Sequence, residues 1–301
     1  MVLEHVSCDL CGCATYIEKY RKPDTYLWQT QFAFPIVACT NCDLVYVNPR
    51  PTFTGIAEFY PTDYHDNRDS AEHIRRYARQ FEYVKAFEFE KILDVGCANG
   101  DWLEYVKQNR PHVEMQGVDA FSRGVKNNIK FYRCALTDAD LPADYFELVT
   151  SWAVLEHVHT PLRYFQVVAQ VLKPGGKFVF LVTNADSFYG RYAYSEDVPR
   201  HLYHFSKETL AAYADKVGLK LVRVDYDDGF WDGRGWGTFR YGLGRTFGFT
   251  WDKLFLKRLA LTTKIAMRLG AIIDKIVFST HWEAKLRRSG IIIATMEKVV
   301  R

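Results

Sequence analysis

The stretch that decides the fold is Ile92-Leu-Asp-Val-Gly-Cys-Ala-Asn-Gly100. An apolar run leads to Asp94, a glycine-containing turn follows, and a helical pattern begins at Trp102. This order predicts a strand, a loop that can hold a ligand, and the N-terminus of a helix. Glycine at positions 96 and 100 lets the backbone approach a ligand where a Cβ would collide. The helix behind the loop presents unpaired N–H groups.

A second acidic residue strengthens this interpretation. The run Val113-Glu-Met-Gln-Gly-Val-Asp119 is typical of the next strand. Asp119 at its end would place a carboxylate beside the first loop, where it can accept both hydroxyls of a ribose. The dinucleotide fingerprint G-x-G-x-x-G would need further glycines where this chain has Ala98 and Asp101, which argues against NAD.

The glycine loop resembles motif I of class I S-adenosylmethionine (SAM) methyltransferases, and the resemblance covers roughly residues 85 to 228. Its other parts are Leu141 to Trp152, Val154–Val158, Leu172–Leu181 and Arg200–Ser206. It implies an α/β fold with a Rossmann-like seven-stranded sheet. Alternation of strands and helices is expected, with strands near 91–95, 114–118, 129–132, 146–151, 176–183, 219–226 and 291–298. The last strand should be antiparallel.

The resemblance also implies roles for individual residues around SAM. Asp94, Gly96 and Gly100 would surround the methionine part, with Cys97 inside the loop filling space. Asp119 would hold the ribose, Ala120 and Phe121 would lie beside the adenine, and Ala135 and Leu136 would flank its other side. Trp152 would lie near the sulfonium, where an aromatic face attracts a cation. The resemblance therefore predicts SAM as the cofactor.

Three histidines are candidates for a catalytic base, because histidine titrates near neutral pH. His157 follows the fourth strand of the core, and His201 and His204 lie in the segment that the family places over the active site. His204 is equally well explained as a structural residue before the next helix. None of the three is required if the substrate is already nucleophilic.

Four of the seven cysteines form two C-x-x-C pairs, Cys8/Cys11 and Cys39/Cys42. Two such turns can close a tetrahedron of thiolates around zinc. Short β-prone stretches between and after the pairs predict a small zinc ribbon. A four-sulfur site is structural, since it leaves no open coordination position. Cys13 is a spare thiol that could replace Cys11, although the spacing favours Cys11.

The charge pattern bears on the partners. The net charge is only +3, which does not by itself imply a nucleic-acid partner. Residues 253–288 hold nine Lys/Arg against Asp274 and Glu283, so this segment carries +7 and the rest of the chain −4. No basic, apolar leader pattern is apparent at the start, and no uncharged run is long enough for a membrane span. A cytoplasmic protein is expected.

The basic segment predicts one long amphipathic helix from Trp251 to Phe278, following an aromatic and glycine-rich loop. At about 100° per residue, its basic residues cluster, and its leucines and isoleucines fall on the opposite side. Such a helix can lie on an anionic membrane at the inner face or contact a lipid-linked substrate. The alternative is a lid or dimer helix that packs on protein.

These observations give a domain plan and a function. The plan is a zinc ribbon (1–50), a linker and helical cap (51–90), a SAM-binding core (91–229), an insertion (230–286) and the last strand (287–301). The predicted function is methyl transfer from SAM to oxygen or carbon of a small-molecule or glycan acceptor: a sugar, nucleotide-sugar, surface glycan or lipid-linked saccharide. The alternatives are an rRNA methyltransferase and a catalytically silent SAM-binding module.

Overall fold

The computed structural model describes residues 1–25, 27, 30–60, 70–122, 129–192, 197–227, 229–230 and 234–300. The chain divides into two units. The first contains Met1–Pro61, Thr183–Thr209 and Tyr226–Ile292, and the second contains Thr62–Val182, Leu210–Asp225 and Ile293–Arg301. The predicted ribbon segment therefore shares a unit with two later parts of the chain.

The described residues contain thirteen strands: β1 (Leu3–Glu4), β2 (Tyr16–Lys22), β3 (Phe34–Cys39), β4 (Val45–Val47), β5 (Arg50–Pro51), β6 (Lys91–Val95), β7 (Glu114–Val118), β8 (Lys130–Tyr132), β9 (Phe146–Trp152), β10 (Leu172–Thr183), β11 (Tyr203–His204), β12 (Leu219–Tyr226) and β13 (Ile291–Lys298). The α-helices in the same residues are α1 (Ser70–Glu82), α2 (Asp101–Asn109), α3 (Pro161–Val171), α4 (Phe188–Arg191), α5 (Lys207–Val217), α6 (Thr238–Thr246), α7 (Trp251–Phe255), α8 (Leu261–Val277) and α9 (Trp282–Lys285).

Seven strands form one sheet in the order β12-β13-β10-β9-β6-β7-β8. The pairs from β10 to β8 are parallel. β13 runs antiparallel to β10, because Asn184 N donates to Gly290 O at one end and Lys298 Nζ donates to Leu172 O at the other. The predicted fold class is confirmed, and all seven predicted strands are present.

Burial explains why these strands could be located from the sequence. Ile92 and Leu93 of β6 and Val179 of β10 are fully buried, as expected for parallel strands covered on both faces. Under the sheet, Phe165 of α3 contacts Phe178 and Phe180 with ring centroids 6.1 and 5.7 Å away. These contacts fix α3 behind the strand ends where the candidate site lies.

A four-stranded sheet in the first unit has the order β11-β4-β3-β2, and β1 pairs with β5. The residues where the predicted ribbon (1–50) meets the predicted linker (51–90) form β5 and are packed, whereas a proline-rich linker is expected to break regular structure. Arg50 is buried, pairs with Glu4 at 2.9 Å and donates to the Tyr203 hydroxyl at 2.9 Å. The strand pairing of β5 and these contacts replace the expected break in structure.

The C-terminal helices differ from the predicted single helix. The chain turns between α7 and α8, where Lys257 adopts a left-handed φ of 55°. The preceding glycine-rich stretch also forms a helix, α6, and residues 231–233 of the predicted loop lie outside the described residues. Of the helices described, none has the length and apolar character needed to cross a membrane.

Small and polar residues join α8 to α6. The carboxylate of Asp274 accepts hydrogen bonds from Gly237 N, Phe239 N and Arg240 N at 2.9 to 3.0 Å, and so caps the start of α6. A Cβ added at Gly270 would lie 2.4 Å from Phe239 O. The two helices can therefore approach this closely only because residue 270 is glycine.

Replacement of Gly270 by Ala should destabilise the protein by about 1–3 kcal/mol, because the backbone of α6 must move. Gly242→Ala is the matched control, since a Cβ at Gly242 meets no atom within 4 Å and alanine favours a helix. Urea unfolding of both variants checks this. Equal stability of the two variants would show that the helices are not held by this contact.

Candidate functional site

The loop after β6 is held by the carboxylate at the end of β7. Asp119 Oδ2 accepts from Ala98 N at 2.9 Å, and Oδ1 accepts from Phe121 N and Ser122 N at 2.7 and 2.8 Å. A carboxylate offers about four acceptor positions. These three bonds fix its orientation and leave capacity for a ligand hydroxyl.

Asp94 is buried at the same edge of the sheet, one strand away. It accepts a hydrogen bond from Thr150 Oγ1 at 2.7 Å. The pKa of Asp94 is raised to about 8, because burial raises it most, the Thr150 hydrogen bond lowers it by less, and the charge of Asp119 also raises it. Asp94 therefore holds a proton at neutral pH unless a positive charge comes to lie beside it.

The backbone of the loop is tightly constrained. Gly96 has a φ of 74°, and a Cβ there would lie 2.3 Å from Val154 Cγ2. Ala98 has a φ of 48°, and Ala153, in the segment after β9, has a φ of 58°. Positive φ at alanine costs free energy and is found where surrounding structure fixes a functional loop. Gly100, with a φ of 75°, is the N-cap of α2.

The side chain of Cys97 packs inside the protein, next to Gly117 of β7. A Cβ added at Gly117 would be 2.6 Å from Cys97 Sγ, so the thiol packs against β7. Burial raises the pKa of Cys97, which keeps the thiol protonated. The place of Cys97 within a SAM-binding loop stays a prediction.

The residues predicted beside the adenine lie along the ends of β7 and β8. Ala120 is exposed and the Phe121 side chain is 76% exposed, so an aromatic face is available next to Asp119. Ala135 is half-buried and Leu136 is buried at the start of a short 3₁₀ helix, Leu136–Asp138. Residues 123–128 lie outside the described residues.

The end of β9 supplies polar atoms that sequence reasoning missed. Trp152 contacts Trp102 at a centroid distance of 5.5 Å. Among the described residues, Trp102 Nε1, Ser151 Oγ and Glu156 Oε2 are buried without a hydrogen-bond partner. Buried polar groups are normally satisfied, so these atoms fit a polar ligand bound at the strand ends.

Glu156 is the main residue that the sequence analysis passed over. It is fully buried after β9, and burial raises its pKa to about 8. A signal was present, since an acidic residue stands between Leu155 and the histidine and valine that follow. Glu156 was not considered as a candidate because the adjacent His157 is the more usual catalytic base near neutral pH.

The three candidate histidines differ in environment. His157 is half-buried in the turn after β9 and belongs to the second unit, whereas His201 and His204 belong to the first. His201 is half-buried, and its backbone N donates to Asp197 O. His204 is buried, and its pKa is lowered to about 3, mainly by burial and also by the charge of Lys22. Such a ring is a weak base at neutral pH.

The four cysteine sulfurs predicted to bind metal are brought together in the first unit. All four lie within 4.8 Å of one another, and the pairs Cys8–Cys42 and Cys11–Cys39 are 3.4 and 3.5 Å apart. A tetrahedral zinc site with bonds of about 2.3 Å requires sulfurs about 3.8 Å apart. Gly12, with a φ of 76°, turns the chain beside the first pair.

Cys13 is not part of this group. Its sulfur contacts Thr15 Oγ1 at 3.2 Å and Thr40 Oγ1 at 3.8 Å.

Burial raises the pKa of Cys8, and it raises that of Cys42 to about 11. Both thiols would thus ionise readily only beside a cation, and the donor set fits zinc.

Comparison with known proteins agrees with this geometry. A family model described as a methyltransferase domain matches residues 63–224, just over half of the chain. The chain therefore belongs to the methyltransferase-domain family, and its fold is that of SAM-dependent methyltransferases. The predicted resemblance is confirmed.

Individual relatives are more distant and match only part of their length. The tRNA (carboxymethyluridine(34)-5-O)-methyltransferase of Schizosaccharomyces pombe is 33% identical over 129 residues, which are 40% of this chain and 55% of that protein. The ubiquinone biosynthesis O-methyltransferase of an Azoarcus species is 27% identical over 160 residues, 45% of this chain and 66% of that protein. The chain thus spans less than two thirds of the length of either relative.

A solved structure supports the fold. A chain in the complex between the Haloferax volcanii Trm112 methyltransferase activator and a methyltransferase superposes with a TM-score of 0.50 at 16% identity. The match covers 75% of this chain and 90% of that one.

The raised pKa of Asp94 predicts a pH dependence of SAM binding. SAM is cationic and favours the ionised carboxylate, so binding should release a proton below pH 8 and tighten as the pH rises towards 8, by up to about tenfold per unit. Asp94→Asn, which cannot ionise, should lack this component.

Calorimetric titrations of both proteins, in buffers of different ionisation enthalpy, measure the affinity and the proton count. Titration of SAM itself is common to both proteins, so the difference between them isolates Asp94. Superimposable pH profiles would mean that Asp94 does not sense the bound cation.

Proposed function

We propose that this protein transfers the methyl group of SAM to a small-molecule or glycan acceptor, as an O-methyltransferase or a C-methyltransferase. The observation that carries the proposal is the loop after β6, pinned by Asp119 beside the buried acid Asp94. Acceptors in this class are sugars, nucleotide-sugars, surface glycans and lipid-linked saccharides. The ubiquinone biosynthesis relative is named for O-methylation of a small molecule, which supports oxygen as the target.

SAM supplies an electrophilic methyl group when bound, because its carbon is attached to a sulfonium. The chain needs to bind SAM, orient the acceptor and exclude water. Asp119 would accept hydrogen bonds from the ribose hydroxyls, and Phe121 offers an exposed ring for the adenine. Asp94, once ionised, would stabilise the positive end of the cofactor. Trp152 offers an aromatic face to the sulfonium.

A hydroxyl acceptor must also lose a proton, and His201 and His157 remain the candidates for that step. Each is half-buried, so solvent or substrate can reach it. The low pKa of His204 makes it the weakest of the three candidates. We expect its buried ring to support the packing before α5.

The charges of the ribbon argue against RNA as the acceptor. Its hairpin contains Lys19, Arg21 and Lys22. Arg21 donates twice to Glu18, at 2.9 and 2.7 Å, and Lys22 is buried. Among the described residues of the β2–β3 hairpin, this leaves Lys19 as the exposed basic side chain that no carboxylate compensates. Recognition of a phosphate backbone depends on several such charges.

An RNA methyltransferase remains the second candidate, because one relative is a tRNA methyltransferase. A third candidate, a silent SAM-binding module, would retain SAM affinity and transfer nothing. The three proposals differ in which acceptors take up a methyl group. A single assay with several acceptor classes distinguishes them.

With radiolabelled SAM, the purified protein should methylate a member of a panel of sugars, nucleotide-sugars, lipid-linked saccharides and phenols, and not tRNA or rRNA. Asp119→Ala should abolish SAM binding. Asp119→Asn, which keeps an acceptor for the backbone N–H groups, should weaken it by about tenfold or more, the loss expected when a charged partner is removed.

If His201 is the base, His201→Ala should lower kcat by about 10²–10⁴-fold.

Label in RNA alone would select the second candidate, and SAM binding without label in any acceptor would select the third. Normal SAM affinity of Asp119→Ala would refute the ribose assignment. The His201 and His157 variants, compared across pH, show which ring sets the basic limb of the kcat profile.

We further propose that Cys8, Cys11, Cys39 and Cys42 bind one structural zinc ion. The support is the mutual approach of their four sulfurs within 4.8 Å. The ion would hold the two C-x-x-C turns together and contribute to folding rather than to chemistry.

Native mass spectrometry should find one zinc per chain, and Cys39→Ser should lose it together with thermal stability, because three ligands bind zinc far more weakly than four. Cys13→Ser is the matched control and should keep the ion. Zinc retained by Cys39→Ser and lost by Cys13→Ser would reverse the ligand assignment.

A further inference from the structure

One face of α8 exposes a row of large apolar side chains. Its members, with their exposed fractions, are Leu261 (72%), Ile265 (48%), Leu269 (54%), Ile272 (57%) and Ile276 (69%). At about 100° per residue they fall within about 80° of one another. We call these five residues the α8 stripe. A contiguous exposed apolar row of this kind marks an interaction site.

The orientation of α8 is fixed by the opposite side of the helix. Its buried residues are Thr263, Ala266, Met267, Gly270 and Asp274. Rotation of α8 to cover the stripe would break the three hydrogen bonds of Asp274 to the start of α6 and the bond from Thr263 Oγ1 to Phe247 O. The exposure of the stripe is therefore built into the packing.

Basic side chains border the stripe. Lys264, Arg268 and Lys275 are exposed, and Arg268 is only about 40° around the helix from Ile272. The prediction that basic and apolar residues occupy opposite sides is thus wrong: they are neighbours. An apolar row beside a basic row suits a surface that is apolar inside and anionic at its boundary.

The charged side chains exposed along residues 253–288, the segment that contains α8, are all positive. All nine Lys and Arg side chains of residues 253–288 are exposed, whereas its two acids, Asp274 and Glu283, are buried. Leu256 and Leu286, in the same segment, are 51% and 60% exposed. Burial of both acids leaves no compensating negative charge from this segment at its surface.

We propose that the α8 stripe and its basic border dock on the surface of an anionic lipid bilayer. α8 is an in-plane helix about 25 Å long, from 17 residues at about 1.5 Å each. The leucines and isoleucines enter the boundary of the acyl chains, and the lysines and arginines reach the lipid phosphates. Unlike the methyl-transfer proposal, this one depends only on the first unit.

Co-sedimentation with vesicles tests the proposal with the 301-residue chain and no acceptor. The protein should bind phosphatidylcholine–phosphatidylglycerol vesicles and bind pure phosphatidylcholine weakly. The triple variant Ile265→Ser/Leu269→Ser/Ile272→Ser should lower the partition coefficient by about tenfold or more. Lys264→Gln/Arg268→Gln/Lys275→Gln should lower it by about a hundredfold on anionic vesicles, and 1 M salt should have a similar effect, because the Debye length is then about 3 Å.

Matched controls come from exposed residues elsewhere. Ile17, Phe53 and Ile74 are 65%, 69% and 57% exposed, and their change to Ser should leave binding within about twofold. Lys19, Lys216 and Lys220 are exposed lysines for the charge control. Circular dichroism melts of the stripe variant should match the parent, because the altered side chains are exposed.

Equal binding of the parent to anionic and neutral vesicles would overturn the proposal. So would equal losses in the stripe variant and the Ile17/Phe53/Ile74 control. A parent that elutes as a dimer, becomes a monomer in the stripe variant and ignores vesicles would assign the stripe to a second copy of this chain instead.

Discussion

The carboxylate of Asp119 is the contact on which the candidate site depends. It accepts from the loop after β6 and from the two residues that follow its own strand turn. Three backbone donors on one side chain link two strand ends that would otherwise be held only by the sheet. The positive φ of Ala98 is stable in that setting, because its N–H is the loop donor that Asp119 accepts. One residue thus sets the loop conformation and still offers an oxygen to a ligand.

Several titratable side chains in the described part of the chain are buried without an oppositely charged partner beside them. Asp94 and Glu156 are acids kept protonated at neutral pH, and His204 is a base kept neutral. An uncharged interior costs less free energy than isolated buried ions. A cationic ligand changes that balance for a carboxylate beside it. The charge of Asp94 is therefore expected to change when a cationic ligand binds beside it.

The core was predictable because its signals are local. β6, β7 and β9 are short apolar runs ended by acids or turns, and βαβ alternation fixes their order. The orientation of α8 was not predictable, because hydrophobic periodicity assigns the largest side chains to the interior. Here Gly270 and Asp274 decide the packing, and their partners lie about 35 residues earlier in α6. The break at Lys257 and the burial of Glu156 likewise depend on tertiary surroundings that no sequence window contains.

The pairing of β11 with β4 has a consequence for how the chain is completed. Tyr203 stacks on Tyr46 at 6.2 Å and lies opposite it in the small sheet. A chain cut after β4 would leave this strand as an open edge with unpaired backbone groups. The two C-x-x-C turns are synthesised about 150 residues before β11, so their sheet is completed only by a non-local pairing, which is slow to form. Contiguity in sequence is thus a poor guide to where this protein can be divided.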